Sequence, residues 1–484
     1  MSAVHWQDAA VNAQPEEHGD RAAATHPRPS VDGSCPDSSV AGAGQVRPLY
    51  LGYAIALLAL VNLFNYMDRM ALAVLLPSIK ADLSLSDGQL GLLVGFAFFF
   101  FYAVCGIPIA RWADRGIRRN IIALALVFWS VMTALSGAAQ NFWQLFLARV
   151  GMGAGEAGCL PPAQSIICDY VPVRRRSGVF AIHSFGLFAG MVVGMSLAGS
   201  LADRIGWRWT FVALGVPGIA LALVVRLTLR EPTRGGMEGV QHNSSQPPLR
   251  TTAALLWRCA TYRLITATLV LSGFAQFGLN QWWPSFYVRT FDLSLSTVGI
   301  YLGIAIGAGS AVGLLIGGFI SNKLAQRDVK LPLVMGAFAI MLALPSVFGS
   351  LLAPSAEISM MFACLAMVFW SLPSGAAVSA SYSVVQPRMR ATAGAISIFL
   401  ISLMGFGFGP FCVGILSDFL TTRYGAEALR YSLLVPACFI PLAAVAMWMS
   451  AQRLPADLRA VSAHADQDPQ SSISRPVMLA DSSR

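Results

Sequence analysis

Residues 60–77 read LVNLFNYMDRMALAVLLP, an apolar run of membrane-spanning length that is interrupted by polar residues. Asp68 and Arg69 lie near its centre, and Asn62, Asn65 and Tyr66 precede them. An ionised side chain at the centre of a transmembrane helix costs about 2.5–3.5 kcal/mol on insertion scales. A chain that keeps an acid and a base at this depth is therefore expected to use them.

The composition of the whole chain is that of a polytopic membrane protein. Of 484 residues, 56% are hydrophobic and only 12% are charged, whereas about 25% of a soluble chain is charged. The net charge of +9 comes from arginines in short stretches between apolar runs, so membrane topology explains it better than a nucleic-acid partner. The eight cysteines show no CxxC and no metal-ligand spacing, which is typical of small buried hydrophobes. We predict no metal and no cofactor.

Twelve apolar segments, numbered 1 to 12 below, are each long enough to cross about 30 Å of hydrocarbon. They predict an all-α integral membrane protein with two pseudo-symmetric bundles of six helices, at 49–229 and 263–451, joined by a linker at 230–262. The tails at 1–48 and 452–484 are predicted to be disordered because they lack apolar runs. The segments lie near 49–77, 88–110, 119–139, 142–169, 177–201, 208–229, 263–289, 297–321, 330–352, 357–384, 391–417 and 429–451.

The basic residues between the segments predict the orientation. They concentrate after segments 2, 4, 8 and 10 and in the linker, and are sparse in the opposite set of loops. By the positive-inside rule both termini and the linker are predicted to be cytoplasmic. Lysines are rare, which suggests a GC-rich bacterial genome, so we predict a bacterial inner (plasma) membrane.

An internal repeat supports the two-bundle arrangement. The pentapeptide DLSLS occurs at 82–86 and again at 292–296, each time before an even-numbered segment. Pro172 and Arg175 after segment 4 are matched by Pro387 and Arg390 after segment 10. Two halves of six helices with a substrate path between them at mid-membrane are a known transporter arrangement.

One face of segment 1 is polar. At about 100° per residue, Asn62, Asn65, Tyr66 and Arg69 share this face, and Asp68 lies at its edge. In lipid such a face must turn to the protein interior or to a water-filled cavity. We interpret it as a proton or ion site beside a substrate contact. A buried structural ion pair is the alternative.

Segment 4 supplies candidate partners for this face. Its sequence RVGMGAGE (149–156) puts Arg149, Gly153 and Glu156 on one side. The glycines at 151, 155 and 158 lie on the other side, where small residues let helices approach closely. Segments 1 and 4 run in opposite directions, so Asp68 and Glu156 are expected at similar depths near the middle of the bilayer.

Burial and a nearby guanidinium act in opposite directions on the proton affinity of a carboxyl group. A cavity that fills and empties would therefore change the protonation of buried carboxylates, as proton coupling requires. We predict proton-coupling roles for Asp68 and Glu156 and a static network as the alternative. The predicted substrate or counter-ion contacts are Arg69, Arg149, Asn62, Asn65, Tyr66, His183 in segment 5, and Gln276 and Asn280 in segment 7; for His183, a satisfied core residue is the alternative.

The loop after segment 2 is predicted to be a cytoplasmic gate motif. It contains Asp114, Arg115, Arg118 and Arg119. Asp114 is expected to pair with cationic groups or a helix N-terminus of the second half and so to latch an outward-open state. Simple positive-inside charge is the alternative.

Two features of the apolar segments carry further structural expectations. The Trp282–Trp283 pair in segment 7 is predicted to lie in the interfacial aromatic belt. The prolines Pro161 and Pro162 in segment 4, and Pro373 in segment 10, are predicted to kink their helices.

These motifs together resemble the major facilitator superfamily over residues 49–452. The evidence is the loop Asp114–Arg119 and Arg149-x-x-x-Gly153-x-Gly155. Within it, NYMDR (65–69), GEA (155–157) and REP (230–232) resemble the Spinster branch. The resemblance implies the major facilitator fold and proton-linked alternating access, with Asp68, Arg69 and Glu156 at the coupling positions and a lysolipid or sphingoid-like substrate. Ala110 and Ile117 stand at positions where the superfamily motif has glycine.

The sequence is also compatible with other functions. The anion:cation symporters, which take up small organic acids, have a similar NYMDR-like signature and are the main alternative. A membrane enzyme would need a nucleophile and base or a metal cluster, and a pump driven by ATP would need GxxxxGK[ST]; neither is found in the sequence. A sensor with a transporter fold is a third possibility. We predict a monomeric secondary transporter that is not an enzyme, with protons as partners.

Overall fold

The computed structural model describes residues 47–234, 249–386 and 389–465. All regular structure in these ranges is helical. Most of the predicted N-terminal tail, the linker residues 235–248, Pro387 and Arg388, and the tail beyond 465 lie outside the described residues.

The first half contains segments 1 to 6. Segments 2 and 4 are each broken into two helices, at Gly95 and at Ala157–Cys159. Segments 5 and 6 form one continuous helical run that turns at Gly206, where φ is +76°. The helices are Pro48–Leu83, Asp87–Val94, Phe96–Arg115, Arg118–Ser136, Phe142–Glu156, Leu160–Tyr170 and Val173–Thr228.

The second half contains segments 7 to 12. Segments 8 and 11 each include a π-helical stretch, a feature that is often found at functional sites. Segment 10 is broken at Leu372–Pro373. The helices are Ala260–Phe291, Leu295–Gly303, Ile304–Ala308 (π), Gly309–Ala325, Leu331–Leu352, Ala356–Ser371, Ser374–Ser383, Arg390–Leu400, Ile401–Gly407 (π), Phe408–Tyr424, Gly425–Glu427 (3-10), Ala428–Ala437 and Phe439–Ala465.

The predicted arrangement of twelve transmembrane helices is confirmed. Length and mean hydropathy alone identify eight spanning helices in the described ranges. The number is nine if the bent pair Thr252–Arg258 and Ala260–Phe291, which contains segment 7, counts as one span. Segments 5 and 6, and segments 11 and 12, are each counted once because they run together. Segment 4 is missed because its two helices, of 15 and 11 residues, are each too short to span the membrane.

Helices extend into two of the predicted connecting regions. Within the predicted linker at 230–262, residues Leu249–Arg258 form a helix that is bent by 90° from segment 7. The C-terminal tail was expected to begin at 452, but the last helix continues to Ala465. Apolar residues such as Leu454, which is buried, extend the helix beyond the predicted membrane boundary.

The two predicted kinks are confirmed. In segment 4, Pro161 lies in the first turn of Leu160–Tyr170, where its missing N–H is tolerated. The same proline could not continue the preceding helix, since it cannot donate the next backbone hydrogen bond. Glu156 consequently ends a helix inside the membrane.

The bundle has two ends because successive segments alternate in direction. The linker end contains residues 111–119, 171–176, 228–234 and 249–258. The distal end contains 83–87, 136–141, 205–208 and 291–295.

The repeated pentapeptides lie at the distal end and begin segments 2 and 8. Ser86 caps the helix at Asp87 by accepting from the Gln89 amide, and Ser294 caps the helix at Leu295 by accepting from the Thr297 amide. The capping serine is the fifth residue of the first pentapeptide and the third of the second. The structural repeat is therefore shifted by two residues relative to the sequence match.

Glycines of segments 2 and 8 allow close contact across the distal part of the bundle. A Cβ at Gly95 of segment 2 would clash with the Gly407 carbonyl of segment 11, and one at Gly299 of segment 8 would clash with the Met195 carbonyl of segment 5. Small residues permit such close approach of helices in membranes. Both contacts join the first half to the second.

The prediction for Trp282 and Trp283 is wrong. Both indole rings are fully buried, and the Trp282 Nε1 donates to the Pro410 carbonyl at 2.8 Å. Hydropathy does not distinguish an aromatic ring that faces lipid from one that faces a neighbouring helix. Segment 7 turns this part of its surface towards segment 11.

Candidate functional site

Arg69 and Glu156 form a buried ion pair between segments 1 and 4. The Arg69 Nη2 lies 2.6 Å from the Glu156 Oε2, and its Nε donates to the same oxygen at 3.2 Å. Arg69 is 6% exposed and Glu156 is 1% exposed. Asn65 adds a third contact, since its Oδ1 accepts from the Arg69 Nη2 at 3.3 Å. The predicted partnership of segments 1 and 4 is thus formed by Arg69.

The end of a helix is a poor location for a buried carboxylate such as Glu156. Helix C-termini carry a partial negative charge, which repels an acid. The break at Ala157–Cys159 leaves Glu156 at such an end. The guanidinium of Arg69 offsets this repulsion. The Glu156 Oε1 has no hydrogen-bond partner among the described residues.

Aromatic rings surround the Arg69 guanidinium. The distances from its Cζ to the ring centroids are 4.7 Å for Phe98, 4.9 Å for Tyr66, 5.3 Å for Tyr102 and 5.6 Å for Phe99. All four lie within the range of cation–π attraction, which extends to about 6 Å. Tyr66 was a predicted contact, but the three rings of segment 2 were not. The run FAFFFFY at 96–102 was the available signal.

Asp68 faces a different neighbour from the one expected. It is fully buried, and its Oδ2 accepts from the Thr133 hydroxyl of segment 3 at 3.3 Å. The Asp68 Oδ1 has no hydrogen-bond partner within the described ranges. Adjacent residues on a helix point about 100° apart, so Asp68 faces segment 3 while Arg69 faces segment 4. Nothing in the sequence pattern pointed to Thr133.

Arg149 is a buried cation without an acidic partner in the described part of the chain. It is 1% exposed and lies 4.9 Å from the Phe98 ring centroid. Its Nε donates to the Leu93 carbonyl at 3.4 Å, and its Nη1 lies 3.4 Å from the Met152 sulfur. Phe98 therefore lies against both Arg69 and Arg149.

The two sides of segment 4 pack as the sequence predicted. A Cβ at Gly151, Gly155 or Gly158 would clash with segment 3 side chains, respectively Met132, Phe128 and Ala125. On the other side, Gly153 touches the Phe98 backbone of segment 2. The glycine side thus fixes segment 4 on segment 3, while the charged side meets segments 1 and 2.

The remaining predicted contacts are near segments 1 and 7. The Asn62 amide donates to the backbone carbonyl of His183 at 3.0 Å, and the His183 Nε2 is buried without a hydrogen-bond partner among the described residues. In segment 7, Asn280 is 7% exposed and its Oδ1 is also unpaired there. Gln276 reaches the Met367 sulfur at 3.9 Å. The structure does not connect any of these four with the Arg69–Glu156 pair by a direct hydrogen bond.

An aromatic cluster joins the charged residues to the second half. The Phe277 and Phe406 rings stack with centroids 3.8 Å apart. Phe99, which also contacts Arg69, lies 5.3 Å from Phe277 and 5.2 Å from Phe406. Phe406 belongs to the π-helical stretch of segment 11. A change in the position of the Arg69 side chain can therefore affect the packing of the second half through direct ring contacts.

A polar network closes the distal end between the halves. The Asp87 carboxylate of segment 2 accepts two bonds from the Arg289 guanidinium of segment 7, each at 2.7 Å. It also accepts from Lys80 at 2.6 Å and from Ser417 at 2.7 Å. Asp418 in turn accepts from the backbone amides of Asp87 and Gly88. These residues were not predicted from the sequence, although Asp87 directly follows the first DLSLS.

The predicted gate motif is split at the linker end. Asp114 and Arg115 are exposed and form no ion pair with any other described residue. Arg118 is buried and pairs with Asp169 and, at 2.7 Å, with Glu231 of the REP motif. Glu231 also accepts from the Arg119 backbone amide at 2.9 Å. Arg118 and Arg119 thus contact their own half, and the expected latch by Asp114 stays a prediction.

The fold and the site together define a class of protein. Twelve apolar helices form two halves, and buried charges lie at their centre beside aromatic contacts between the halves. This is the arrangement of a multi-pass membrane transporter. In the described ranges, no group of three or more His, Cys, Asp or Glu residues is placed to hold a metal ion.

Comparisons with known proteins identify the family. A model of the Major Facilitator Superfamily matches residues 58–407. An MFS-type efflux pump of Mycolicibacterium smegmatis is 34% identical and covers 84% of this chain and 94% of its own. A probable L-galactonate transporter of Escherichia coli is 26% identical, over 81% of this chain and 87% of its own.

The structural comparison agrees with the sequence comparison. A crystal structure of a bacterial homologue of the human lysosomal transporter Spinster, inward-facing and unoccupied, matches with a TM-score of 0.75 and 30% identity. The match covers 85% of this chain and 99% of that structure. The chain belongs to the Major Facilitator Superfamily and is a Spinster-like transporter.

Proposed function

We propose that this transporter moves an anionic amphipathic molecule, such as a lysolipid or sphingoid phosphate, by proton-coupled alternating access. The observation that carries the proposal is the buried Arg69–Glu156 pair beside a fully buried Asp68. Ionisable residues inside a membrane protein usually mark a substrate path or a proton relay.

Charge balance supports the coupling. With Asp68 and Glu156 ionised, the two carboxylates balance the guanidiniums of Arg69 and Arg149. One added proton leaves the group with a net positive charge, which favours an anion in a medium of low dielectric constant. Protonation of Glu156 also releases Arg69 from its partner. The released guanidinium then binds the anionic group of the substrate, so proton binding favours substrate binding.

The surroundings of Arg69 favour an amphipathic substrate. The guanidinium is enclosed by Tyr66, Phe98, Phe99 and Tyr102, and Phe277 and Phe406 continue this apolar surface into the second half. A sugar-like substrate would require many hydrogen-bonding groups, because unpaired buried hydroxyls are costly. The resemblance to the Spinster branch points in the same direction.

Small organic acids are the second candidate. They carry the same anionic group that Arg69 would bind. The similarity to a probable L-galactonate transporter favours this alternative.

A transport assay distinguishes the two candidates. Full-length protein in proteoliposomes with an imposed pH gradient is offered a labelled lysophospholipid, a sphingoid phosphate or a sugar acid. We expect saturable, gradient-dependent movement of an amphipathic compound and less than about a tenth of that rate for the sugar acid, since apolar burial contributes about 0.8 kcal/mol per CH₂. Saturable uptake of the sugar acid without lipid movement would establish the alternative.

The orientation remains part of the proposal. The arginine-rich linker end is assigned to the cytoplasm of a bacterial cell, with both termini on that side and the chain acting as a monomer. The bundles at 49–229 and 263–451 then rock against each other. The distal network of Asp87 and Arg289 would hold the inward-facing state, and the Asp114 loop would hold the opposite one. The efflux pump among the relatives favours export.

Asp87→Asn is expected to shift the transporter towards a distal-open state. The substitution removes the charge that binds Arg289 and Lys80. A buried, bidentate pair of this kind contributes strongly to the stability of the closed distal end. Spin labels at exposed distal positions of the two halves, measured by double electron–electron resonance, should show a larger population of long distances. The population ratio is expected to change about ten-fold or more.

Asp82→Asn is the matched control for this change. Asp82 also pairs with an arginine at the distal end, but its partner Arg208 belongs to the same half and the pair is largely exposed. This variant should leave the distances between the halves unchanged. Equal shifts in both variants would show that Asp87 does not hold the halves together.

A further inference from the structure

A groove on the outer surface of the first half has the shape and polarity of a lipid site. It lies between segments 3 and 6, has a volume of about 770 Å³, and is open at its side. Ligand sites typically measure about 300–1,000 Å³. None of the residues that form the Arg69–Glu156 pair or its aromatic surroundings lines this groove, so it is separate from the proposed transport site.

Polarity changes along the groove in one direction. Its deeper part is apolar and includes Leu124, Val216 and Leu223, which are 56%, 52% and 60% exposed. Its end at the linker side contains Trp112, Asn120 and Arg226. Such exposed apolar side chains are expected to contact acyl chains, whereas tryptophan and arginine favour the level of the head groups.

The length of the groove fits one leaflet of a bilayer. Val216 and Arg226 are ten residues apart on one helix, which corresponds to about 15 Å at 1.5 Å per residue. Half of the hydrocarbon thickness is also about 15 Å. An acyl chain that follows the apolar part of the groove therefore brings its phosphate to Arg226.

Charge decides the class of head group. Arg226 is exposed and forms no ion pair with any acid in the described ranges. The nearby Glu231 is engaged by Arg118 and by the Arg119 amide. A guanidinium binds phosphate oxygens well, and an anionic lipid such as phosphatidylglycerol has no head-group amine to compete for the phosphate. The exposed Trp112 ring adds contact area beside the head group.

We propose that this groove binds one anionic phospholipid from the linker-side leaflet, with its phosphate on Arg226 and an acyl chain along segments 3 and 6. The occupant is a component of the bilayer and not the transported molecule. The proposal stands independently of the transport function.

Lipid retention by the full-length protein tests this proposal. The protein is reconstituted with phosphatidylglycerol and phosphatidylcholine of identical chains, extracted gently and examined by native mass spectrometry. We expect one phosphatidylglycerol to be retained in preference to phosphatidylcholine. Arg226→Gln should weaken that retention about ten-fold. Arg453→Gln, which changes another exposed arginine, should have no effect.

A second variant tests the groove itself. Ala220 lines the groove and is exposed to lipid, so Ala220→Phe fills the space without disturbing the core. It should reduce retention of both lipids while Arg226 is intact. Equal retention of the two lipids by the unmodified protein would overturn the proposal. Equal losses of phosphatidylglycerol retention in Arg226→Gln and Arg453→Gln would also overturn it. Unchanged retention in Ala220→Phe would be a third contradicting result.

Discussion

Glu156→Gln is expected to reduce pH-gradient-driven transport in proteoliposomes to about a hundredth or less of the unmodified rate. The amide cannot bind or release a proton, and it removes the charge that Arg69 faces at 2.6 Å. Removing one partner of a buried ion pair costs about 3–5 kcal/mol of stability. A change of about 2.8 kcal/mol in the free energy of the coupled step is sufficient for a hundredfold loss of rate, since each 1.4 kcal/mol is a factor of ten. Substrate exchange at equal pH on both sides should persist, since it requires no net proton movement.

Glu357→Gln provides a matched control for this substitution. Glu357 is a carboxylate in the first turn of a helix in segment 10, at the distal end and away from the buried charges. Its substitution should leave gradient-driven transport unchanged. Asp68→Asn should resemble Glu156→Gln, because the amide still accepts from Thr133 but no longer titrates. Full proton-coupled flux in both Glu156→Gln and Asp68→Asn would exclude the proposed coupling.

Arg69→Leu is expected to destabilise the protein by about 3–5 kcal/mol and to abolish transport. The substitution leaves the Glu156 carboxylate buried at a helix end without a counter-ion. It also removes the cation from four aromatic rings. Thermal unfolding in lipid nanodiscs measures the loss of stability, and the proteoliposome assay measures transport.

The double variant Arg69→Leu with Glu156→Leu separates stability from function. Replacing both partners of a buried pair by apolar residues is often neutral or stabilising. The double variant should therefore recover most of the lost stability but remain inactive. Arg208→Leu, which breaks the exposed pair with Asp82, should cost no more than about 1 kcal/mol. Equal destabilisation by Arg69→Leu and Arg208→Leu would contradict the importance assigned to the buried pair.

The two sets of variants test different properties of the buried charged residues. Glu156 and Asp68 are tested for proton movement, with binding preserved at equal pH. Arg69 is tested for anion binding and for stability. If the amide variants lose coupling while Arg69→Leu with Glu156→Leu folds normally, the carboxylates act in coupling and not only in holding segment 1 to segment 4.

The sequence was sufficient to predict the membrane architecture. Hydrophobic length determines where a chain crosses a bilayer, so twelve segments were recognised without any knowledge of their packing. Proline removes a backbone hydrogen-bond donor wherever it occurs, so the helix breaks near Pro161 and Pro373 were also predictable from the sequence. Helical periodicity identified the polar face of segment 1 and the glycine side of segment 4.

The identity of the partners came only from the tertiary structure. Arg69 and Glu156 are separated by 87 residues, and Asp87 and Arg289 by 202. Periodicity shows which residues share a face of a helix, but it does not show which neighbouring helix that face meets. For this reason the sequence placed Asp68 opposite segment 4, whereas it contacts Thr133 of segment 3.

The same reason explains the error at Trp282 and Trp283, since an apolar segment has the same hydropathy whether a side chain meets lipid or protein. The sequence by itself thus determined that segment 1 has a charged, polar face within the membrane. Its division into an ion pair with segment 4 and an acid against segment 3 was decided by packing, because the buried charges find their partners only when distant helices come together.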